Sequence, residues 1–297
     1  MIFIVDGQDI TELVQSVAWS GGSYQAARKL TFSLIYNPLD FTLPTAAVEV
    51  GSTVIFSPND DYDENSQTSF LGVVWDIDKS TNENIASFTA FDLLVYATKS
   101  KINSPLSGTA ESIAKTVCEA LGIPFGTAAA TGIPIYYLCK QKSGYEAIMA
   151  AYTQASHQNS KKYMIVMRGN KLRVIEKGGL ISNVILDGES CITAATYKTS
   201  LDKMVNNVLM ISTDGGTVDA VEDPELRRRF GTITDTYQMQ DGQDNITSAG
   251  KLINGISQTI TLTCIDNPLC VTGYSVIVKE KVTGVYGRLY IESDTHS

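Results

Sequence analysis

The run Leu30-Thr31-Phe32-Ser33-Leu34-Ile35 decides the fold, because apolar and polar side chains alternate along it until Asn37-Pro38 ends the pattern. A period of two puts the apolar side chains on one face of a β-strand and the polar ones on the other. Similar runs follow at 54–56, 73–77 and 85–91. Strands separated by turn signals predict an antiparallel β domain over roughly residues 1–100.

Helical periodicity replaces this alternation in the middle of the chain, roughly residues 101–182. Ile113, Val117 and Leu121 recur at four-residue intervals, which places them on one face of a helix. Gly122 follows at the position where a left-handed C-cap residue is common.

A second helix and a hairpin complete this middle region. The run Ser143-Gly144-Tyr145-Glu146 matches a capping box and predicts a helix that begins there. Gly169-Asn170 lies between two apolar runs and predicts a two-residue hairpin turn. We therefore expect a small α/β middle domain of two helices and a hairpin.

Strand patterns return over roughly residues 183–297. Candidate strands are 208–211, 234–237 and 259–264. In the last of these, Ile260, Leu262 and Cys264 share one face and threonines occupy the other. A short helix is predicted from Thr247 to Ile256. The chain as a whole is thus expected to be mainly β, in the α+β class, with two β modules flanking the middle domain.

The two β modules share a sequence pattern, which predicts an internal duplication. Trp19 precedes Leu30 by 11 positions, and Tyr197 precedes Val208 by the same interval. The segments 51–56 and 273–278 align without gaps, and so do 72–75 and 287–290. Two similar modules per chain would let three chains present six modules to a sixfold partner. A structural idiom used twice, without consequences for symmetry, remains the alternative.

The second module differs from the first at its end. In the first, a further strand follows Trp75, whereas the chain stops seven residues after Tyr290. We therefore expect the second module to lack its closing strand, which leaves a sheet edge open to pairing. A truncated chain and completion of the sheet by a partner both remain possible explanations.

Composition disfavours several classes of function. The net charge of −9 and a pI near 4.8 disfavour stable nucleic-acid binding, because the one basic cluster, Arg227-Arg228-Arg229, directly follows acidic residues. No apolar run is long enough to span a bilayer. The N-terminus shows no signal-peptide pattern, so we expect synthesis in the bacterial cytoplasm.

The sequence contains no complete catalytic or metal-binding pattern, and we expect no cofactor, no metal and no enzymatic activity. Five scattered cysteines without a Cys-x-x-Cys pair are expected to be free thiols. The two histidines, His157 and His296, are too few and wrongly spaced for a LytM-type zinc peptidase. A Cys/His amidase would need Cys118 or another cysteine to meet one of them. A lysozyme-like pair of catalytic carboxylates stays an alternative, because 32 acidic residues are available.

Several segments resemble the hub proteins of PBSX-type defective prophages, which have relatives in contractile phages and in R-type bacteriocins (tailocins). The resemblance rests on runs that include 17–21, 26–32, 92–96, 145–149 and the ending 287–296. It implies two tail-tube-like antiparallel β-barrel modules in each chain and a trimer of chains. Such a ring joins the hexameric tail tube to the central spike of the baseplate, alongside other baseplate proteins.

The resemblance implies a structural protein that is incorporated into a phage-like tail particle and released by lysis. Within it, the acidic loop formed by Asp60, Asp61, Asp63 and Glu64 is a candidate contact between rings, although a solvated loop would look the same. Two other functions remain open: a tail-tip enzyme that degrades the cell wall, and a tail protein that binds a receptor or carbohydrate.

Overall fold

The computed structural model describes residues 1–36, 39–40, 42, 46–59, 69–80, 84–212, 214–239, 244–265 and 267–297, without the side chains of residues 182 and 183. Its strands are β1 (Ile2–Val5), β2 (Gln8–Asp9), β3 (Val14–Gly22), β4 (Gln25–Ile35), β5 (Thr53–Ser57), β6 (Phe70–Ser80), β7 (Ile85–Asp92), β8 (Lys101–Thr109), β9 (Phe125–Ala128), β10 (Pro134–Ser143), β11 (Tyr163–Arg168), β12 (Lys171–Glu176), β13 (Gly179–Asp187), β14 (Ile192–Ser200), β15 (Asn207–Ile211), β16 (Thr217–Glu222), β17 (Thr234–Gln238), β18 (Ser257–Cys264), β19 (Tyr274–Glu280), β20 (Val285–Tyr290) and β21 (Ser293–His296). Its helices are α1 (Leu94–Lys99), α2 (Ala110–Leu121), α3 (Gly144–Asn159), α4 (Pro224–Phe230) and α5 (Asn245–Gly250), with a 3₁₀ turn at Thr11–Leu13. The expected mainly β, α+β class is confirmed.

The chain divides into two compact units. Unit 1 comprises Met1–Leu186, Ile265–Lys279 and Tyr286–Ser297, and unit 2 comprises Asp187–Cys264 and Glu280–Val285. The division into two units does not test the three domains expected from the sequence, which stay a prediction. No helix in the part of the chain that the structure describes is long and apolar enough to cross a membrane.

The largest sheet lies in unit 1 and contains β4, the strand that includes the alternating run Leu30–Ile35. Its eight strands run in the order β2-β1-β5-β6-β7-β4-β3-β21, and the measured pairings are antiparallel. Leu30, Phe32 and Leu34 of β4 are buried, as the alternation predicts. The ring of Phe32 stacks on that of Phe88 from β7, with centroids 4.8 Å apart. Period-two alternation therefore supplies one apolar face that the sheet buries.

The last strand of the chain belongs to this first sheet. β21 pairs with β3, so that Ser293 lies opposite Gly22 and His296 opposite Trp19. The residues after Tyr290 therefore extend the first module. Pairing between residues more than 270 positions apart leaves no trace in local alternation, and the sequence argument did not anticipate it.

The middle of unit 1 follows the helix signals closely. Thr109 caps α2, and Gly122 ends it with φ of 66°. Ser143 and Glu146 form the expected capping box at the start of α3. The hairpin of β11 and β12 turns at Gly169, with Arg168 opposite Lys171. The predicted C-cap at Gly122, capping box at Ser143 and turn at Gly169-Asn170 are confirmed, because each depends on contacts within a few residues.

One pair of aligned segments, 51–56 and 273–278, has a similar local structure. Gly51 and Gly273 both adopt φ of 96°, and each stands just before a strand, β5 and β19 respectively. In each case the next strand along the chain, β6 or β20, is a hydrogen-bonded neighbour. A positive φ favours glycine, which accounts for the shared residue type.

The first aligned pair does not match in structure. Trp19 lies opposite Leu30 on adjacent strands of one hairpin, whereas Tyr197 lies opposite Ile260 and Val208 belongs to a different sheet. The equal spacing of 11 residues is therefore not evidence for duplication. Closure of each module into a barrel stays a prediction.

Unit 2 contains two small sheets, β14-β18 and β16-β15-β17. The predicted helix from Thr247 to Ile256 is only partly correct, since α5 ends at Gly250. The backbone of Asn254 instead exchanges two hydrogen bonds with Val205, at 2.8 and 2.9 Å, which fixes it as a bridge. The basic cluster lies on α4, where Arg227 pairs with Glu222.

Candidate functional site

The predicted contact residues Asp60, Asp61, Asp63 and Glu64 lie outside the described residues. Their role as an inter-ring contact stays a prediction. The structure instead directs attention to the place where β21 joins the first sheet, which we call the C-terminal anchor and define by Trp19, Arg28, Asp92, Asp294 and His296.

A bidentate ion pair forms the centre of the anchor. Arg28 of β4 donates from both terminal nitrogens to the carboxylate of Asp294 on β21, with Nη1 and Oδ1 3.1 Å apart. The Asp294 side chain is 5% exposed and that of Arg28 18%. Two parallel hydrogen bonds fix the relative orientation of both groups, so this pair defines the register of the last strand.

Three further donors surround the Asp294 carboxylate. Oδ1 accepts from the backbone N of Thr272 at 2.7 Å and from its hydroxyl at 2.6 Å, and His296 Nε2 lies 3.4 Å from Oδ2. Burial alone would raise the pKa of Asp294. Hydrogen bonds from His296, Arg28 and Thr272 outweigh burial and hold this pKa well below its usual range.

The aromatic ring of Trp19 completes one side of the anchor. The Arg28 guanidinium lies over it, 4.1 Å from the ring centroid, and the His296 ring is 5.3 Å away. Gly21 leaves the space that Arg28 needs, because a Cβ there would lie 2.3 Å from Nη1. A cation over an indole face, shielded from water, adds to the attraction that holds β21 in place.

Asp92, the last residue of β7, is the part of the anchor that contacts the backbone of Arg28. Its carboxylate accepts from the backbone N of Arg28 at 3.1 Å and from that of Leu94 at 3.0 Å. Burial raises the pKa of Asp92 to about 7, and those hydrogen bonds only partly oppose it. Two carboxyl groups near one arginine thus have opposite pKa shifts, because Asp294 accepts hydrogen bonds from the guanidinium itself, whereas burial outweighs the backbone hydrogen bonds and the Arg28 charge at Asp92.

A second group of contacts within unit 1 ties the C-terminal part of the chain to residues before position 187. Lys177 Nζ lies 2.9 Å from the hydroxyl of Ser23 and 3.2 Å from Oε1 of Glu292. Arg168 donates to the hydroxyl of Tyr274. These contacts join the turn between β3 and β4, the β11-β12 hairpin with the residue after it, and the C-terminal part of the chain.

The residues considered for catalysis are arranged as follows. None of the five cysteines, all of which lie within the described residues, forms a disulfide, and Cys118 and Cys139 are buried. Burial raises the pKa of Cys118 to about 12, which keeps its thiol protonated at neutral pH. His296 is part of the anchor, whereas His157 is exposed. Among the described residues, no three His, Cys, Asp or Glu side chains are grouped to hold a metal ion.

The sequence indicates no structural role for Asp294, and it offers His296 only as one of two histidines considered for catalysis. The one sequence feature that could have pointed to the anchor is Arg28, a charged residue just before the strongly alternating part of β4. Its partner lies 266 positions away, and a single sequence does not identify such pairs.

The fold and the anchor can now be compared with known proteins. A family model described as YQBQ-like matches residues 17–297. The chain belongs to the YQBQ-like family. No curated protein sequence matches the YQBQ-like chain significantly.

Three solved structures share the fold of this YQBQ-like chain. The 43 kDa tail protein of prophage MuSo2 from Shewanella oneidensis is 14% identical, with a TM-score of 0.73 over 99% of this chain and 93% of that one. A tail protein from Neisseria meningitidis MC58 is 12% identical, with a TM-score of 0.64 over 99% and 90%. The E. coli c3393 protein, a component of the type VI secretion system with structural similarity to the T4 tail proteins gp27 and gp5, is 9% identical, with a TM-score of 0.54 over 99% and 72%. At these identities the likeness establishes the fold.

Proposed function

We propose that this chain is the structural hub of a contractile phage-like tail, a trimeric adaptor between the hexameric tail tube and the central spike. The observation that carries the proposal is the fold, which nearly the whole chain shares with a prophage tail protein. Membership of the YQBQ-like family and the resemblance to PBSX-type hubs point the same way. The particle would be a prophage tail or an R-type bacteriocin.

Two observations favour a hub over other kinds of tail protein. One solved structure with this fold is described as similar to the T4 tail proteins gp27 and gp5. The other is the pair of glycine-led strand neighbours, β5-β6 and β19-β20. Two related pieces in one chain would let three chains offer six like surfaces to a sixfold tube and a threefold base to the spike.

The C-terminal anchor suits a part that must hold under load. A bidentate ion pair joins residues 28 and 294, and together with the pairing of β21 with β3 it fixes the register of the last strand on the first sheet. A strand pairing closed in this way would help the ring to survive contraction of the tail.

Electron microscopy of the assembled particle tests the proposal directly. We expect density for this chain on the central axis, in three copies, between the tube and the spike. Density in the outer fibres would reject the hub.

The competing functions have simple tests of their own. Zymography on cell-wall substrate should show no clearing, and a clearing zone would favour a tail-tip enzyme. A glycan-binding assay with the isolated chain should likewise be negative, and specific glycan binding would favour a receptor-binding protein. Exposed tyrosines such as Tyr24 and Tyr136 make that second assay worthwhile.

A further inference from the structure

Charge is unevenly distributed along the chain. Residues 1–100 contain thirteen Asp and Glu against four Lys and Arg, whereas residues 101–182 contain ten Lys and Arg against four Asp and Glu. The net charge of −9 for the whole chain hides this contrast. A basic region and an acidic region on one polypeptide can attract each other between copies.

The basic region presents an exposed sheet face, which we call the basic ribbon. It is the outer face of the β8-β10 pair. Leu138 lies opposite Pro105, and Tyr136 opposite Ser107. Tyr136 is 73% exposed and Leu138 53%, although the inward side chains of the same strands are buried. An apolar strand face left in water is typical of a contact surface.

Lysines dominate one end of the basic ribbon. Lys101, Lys140 and Lys142 of β8 and β10 are exposed, as is Lys99 at the end of the adjacent helix α1. None of the four forms an ion pair with any side chain that the structure describes. Lys101 and Lys142 lie near the carboxylate of Glu146, which accepts hydrogen bonds from Ser143 in the cap of α3. The ribbon therefore places exposed lysines beside exposed apolar side chains.

A negatively charged surface lies in residues 1–100, at the β2 edge of the eight-stranded sheet, and we call it the acidic corner. It comprises the exposed residues Asp6, Asp9, Glu12 and Glu49, with Val50 65% exposed among them. Strands β2, β1 and β5 bring them together, since Asp9 pairs with Ile4 of β1, and Thr53 of β5 donates to Asp6. No Lys or Arg occurs in residues 1–27 or 46–78.

We propose that the basic ribbon of one chain docks on the acidic corner of a second copy of this chain. Each surface combines one sign of charge with exposed apolar side chains, and the two signs are opposite. Contact between two different surfaces is heterologous and closes into a ring when the rotation allows. This inference rests on the proposed trimeric hub and specifies which surfaces join its subunits.

Charge exchange tests the contact in the full-length chain by sedimentation analysis. Lys101→Glu with Lys140→Glu should weaken self-association at least about tenfold, and so should Glu12→Lys with Glu49→Lys. Combining all four substitutions should restore the affinity to within about threefold. Lys115→Glu with Lys161→Glu makes the same charge change elsewhere in the basic region and should alter affinity by less than about twofold.

Photo-crosslinking identifies the occupant. A photoreactive phenylalanine analogue in place of Tyr136 should crosslink to residues 1–13 or 46–53 of another copy, both in the purified chain and in assembled particles. Crosslinks only to the tube or spike protein, or to added single-stranded DNA, would overturn the proposal, and so would their absence.

These outcomes separate the two proposals. Trimers that form normally in the Lys101→Glu, Lys140→Glu variant would disprove the contact and leave the hub intact. A position in the outer fibres would disprove the hub whatever the crosslinks show.

Discussion

Two strands with the same sequence pattern have different environments in the two units. In β4 of unit 1, alternate residues Leu30, Phe32 and Leu34 are each no more than 5% exposed. In β18 of unit 2, Ile260 and Leu262 also alternate with polar residues, yet both are only half-buried. Alternation therefore predicts the strand, and burial depends on whether a second layer covers its apolar face.

The comparison predicts a large difference in the effect of core truncation. Phe32→Ala removes a ring packed between Phe3 and Phe88 and should lower the free energy of unfolding of unit 1 by about 4 kcal/mol. Leu262→Ala in unit 2 should cost less than about 1 kcal/mol, because its side chain is already half in water.

Separate probes follow the two units. Both tryptophans, Trp19 and Trp75, lie in unit 1, so tryptophan fluorescence during urea unfolding reports on that unit. Hydrogen exchange over 257–264 reports on β18. If Phe32→Ala fails to fold, Phe32→Leu should still cost more than Leu262→Ala, and equal costs would refute the contrast.

The ion pairs of the two units should differ almost as much. Asp294→Asn leaves Arg28 charged and nearly buried, so unit 1 should lose about 3 kcal/mol. The matched exposed pair in unit 2 joins Lys281 and Glu189, whose side chains are at least 70% exposed. Glu189→Gln should change stability by less than about 0.5 kcal/mol.

The pH dependence checks that the loss comes from charge. The pKa of Asp294 is depressed in the folded chain, so its stabilisation is present above about pH 4 and disappears as the pH falls further. The difference in stability between the parental chain and the Asp294→Asn variant should therefore shrink steadily as the pH falls from about 4 towards 2. A constant difference across the whole pH range would show that the loss comes from packing.

Asp92 should give the opposite pH dependence. Its pKa is about 7 in the folded chain and near 4 when unfolded, so unfolding at pH 5 to 6 releases a proton. The free energy of unfolding of unit 1 should fall by about 2 kcal/mol as the pH rises from about 4 to 7. The full difference between the folded and unfolded pKa values sets an upper limit of about 4 kcal/mol on this fall. Asp92→Asn should flatten this slope in urea titrations. An unchanged slope would contradict the burial of a proton on Asp92.

Sequence alone predicts what local contacts determine. The capping box at Ser143, the C-cap at Gly122 and the strand at Leu30–Ile35 depend on neighbours within a few residues, and all three are correct. The anchor could not be found in this way, because Arg28 and Asp294 meet through a pairing of the chain's two ends. The helix expected to reach Ile256 stopped at Gly250 for the same reason, since Asn254 bonds to distant Val205.

Helix caps offer the smallest and finest test of the contrast between the units. Ser143 Oγ accepts from the Glu146 backbone N at 3.2 Å, at the start of a helix whose Ile148 and Tyr152 are fully buried. Ser143→Ala should therefore cost unit 1 about 1 kcal/mol in its tryptophan-detected transition. Asp244 makes the equivalent contact to Thr247 at 3.1 Å, but the helix it caps has six residues and buries only Ala249. Asp244→Ala should speed hydrogen exchange within 245–250 and leave that transition unchanged. A cap contributes to the stability of a whole unit only when its helix is packed into the core, so equal shifts for both variants would show that unit 2 unfolds together with unit 1.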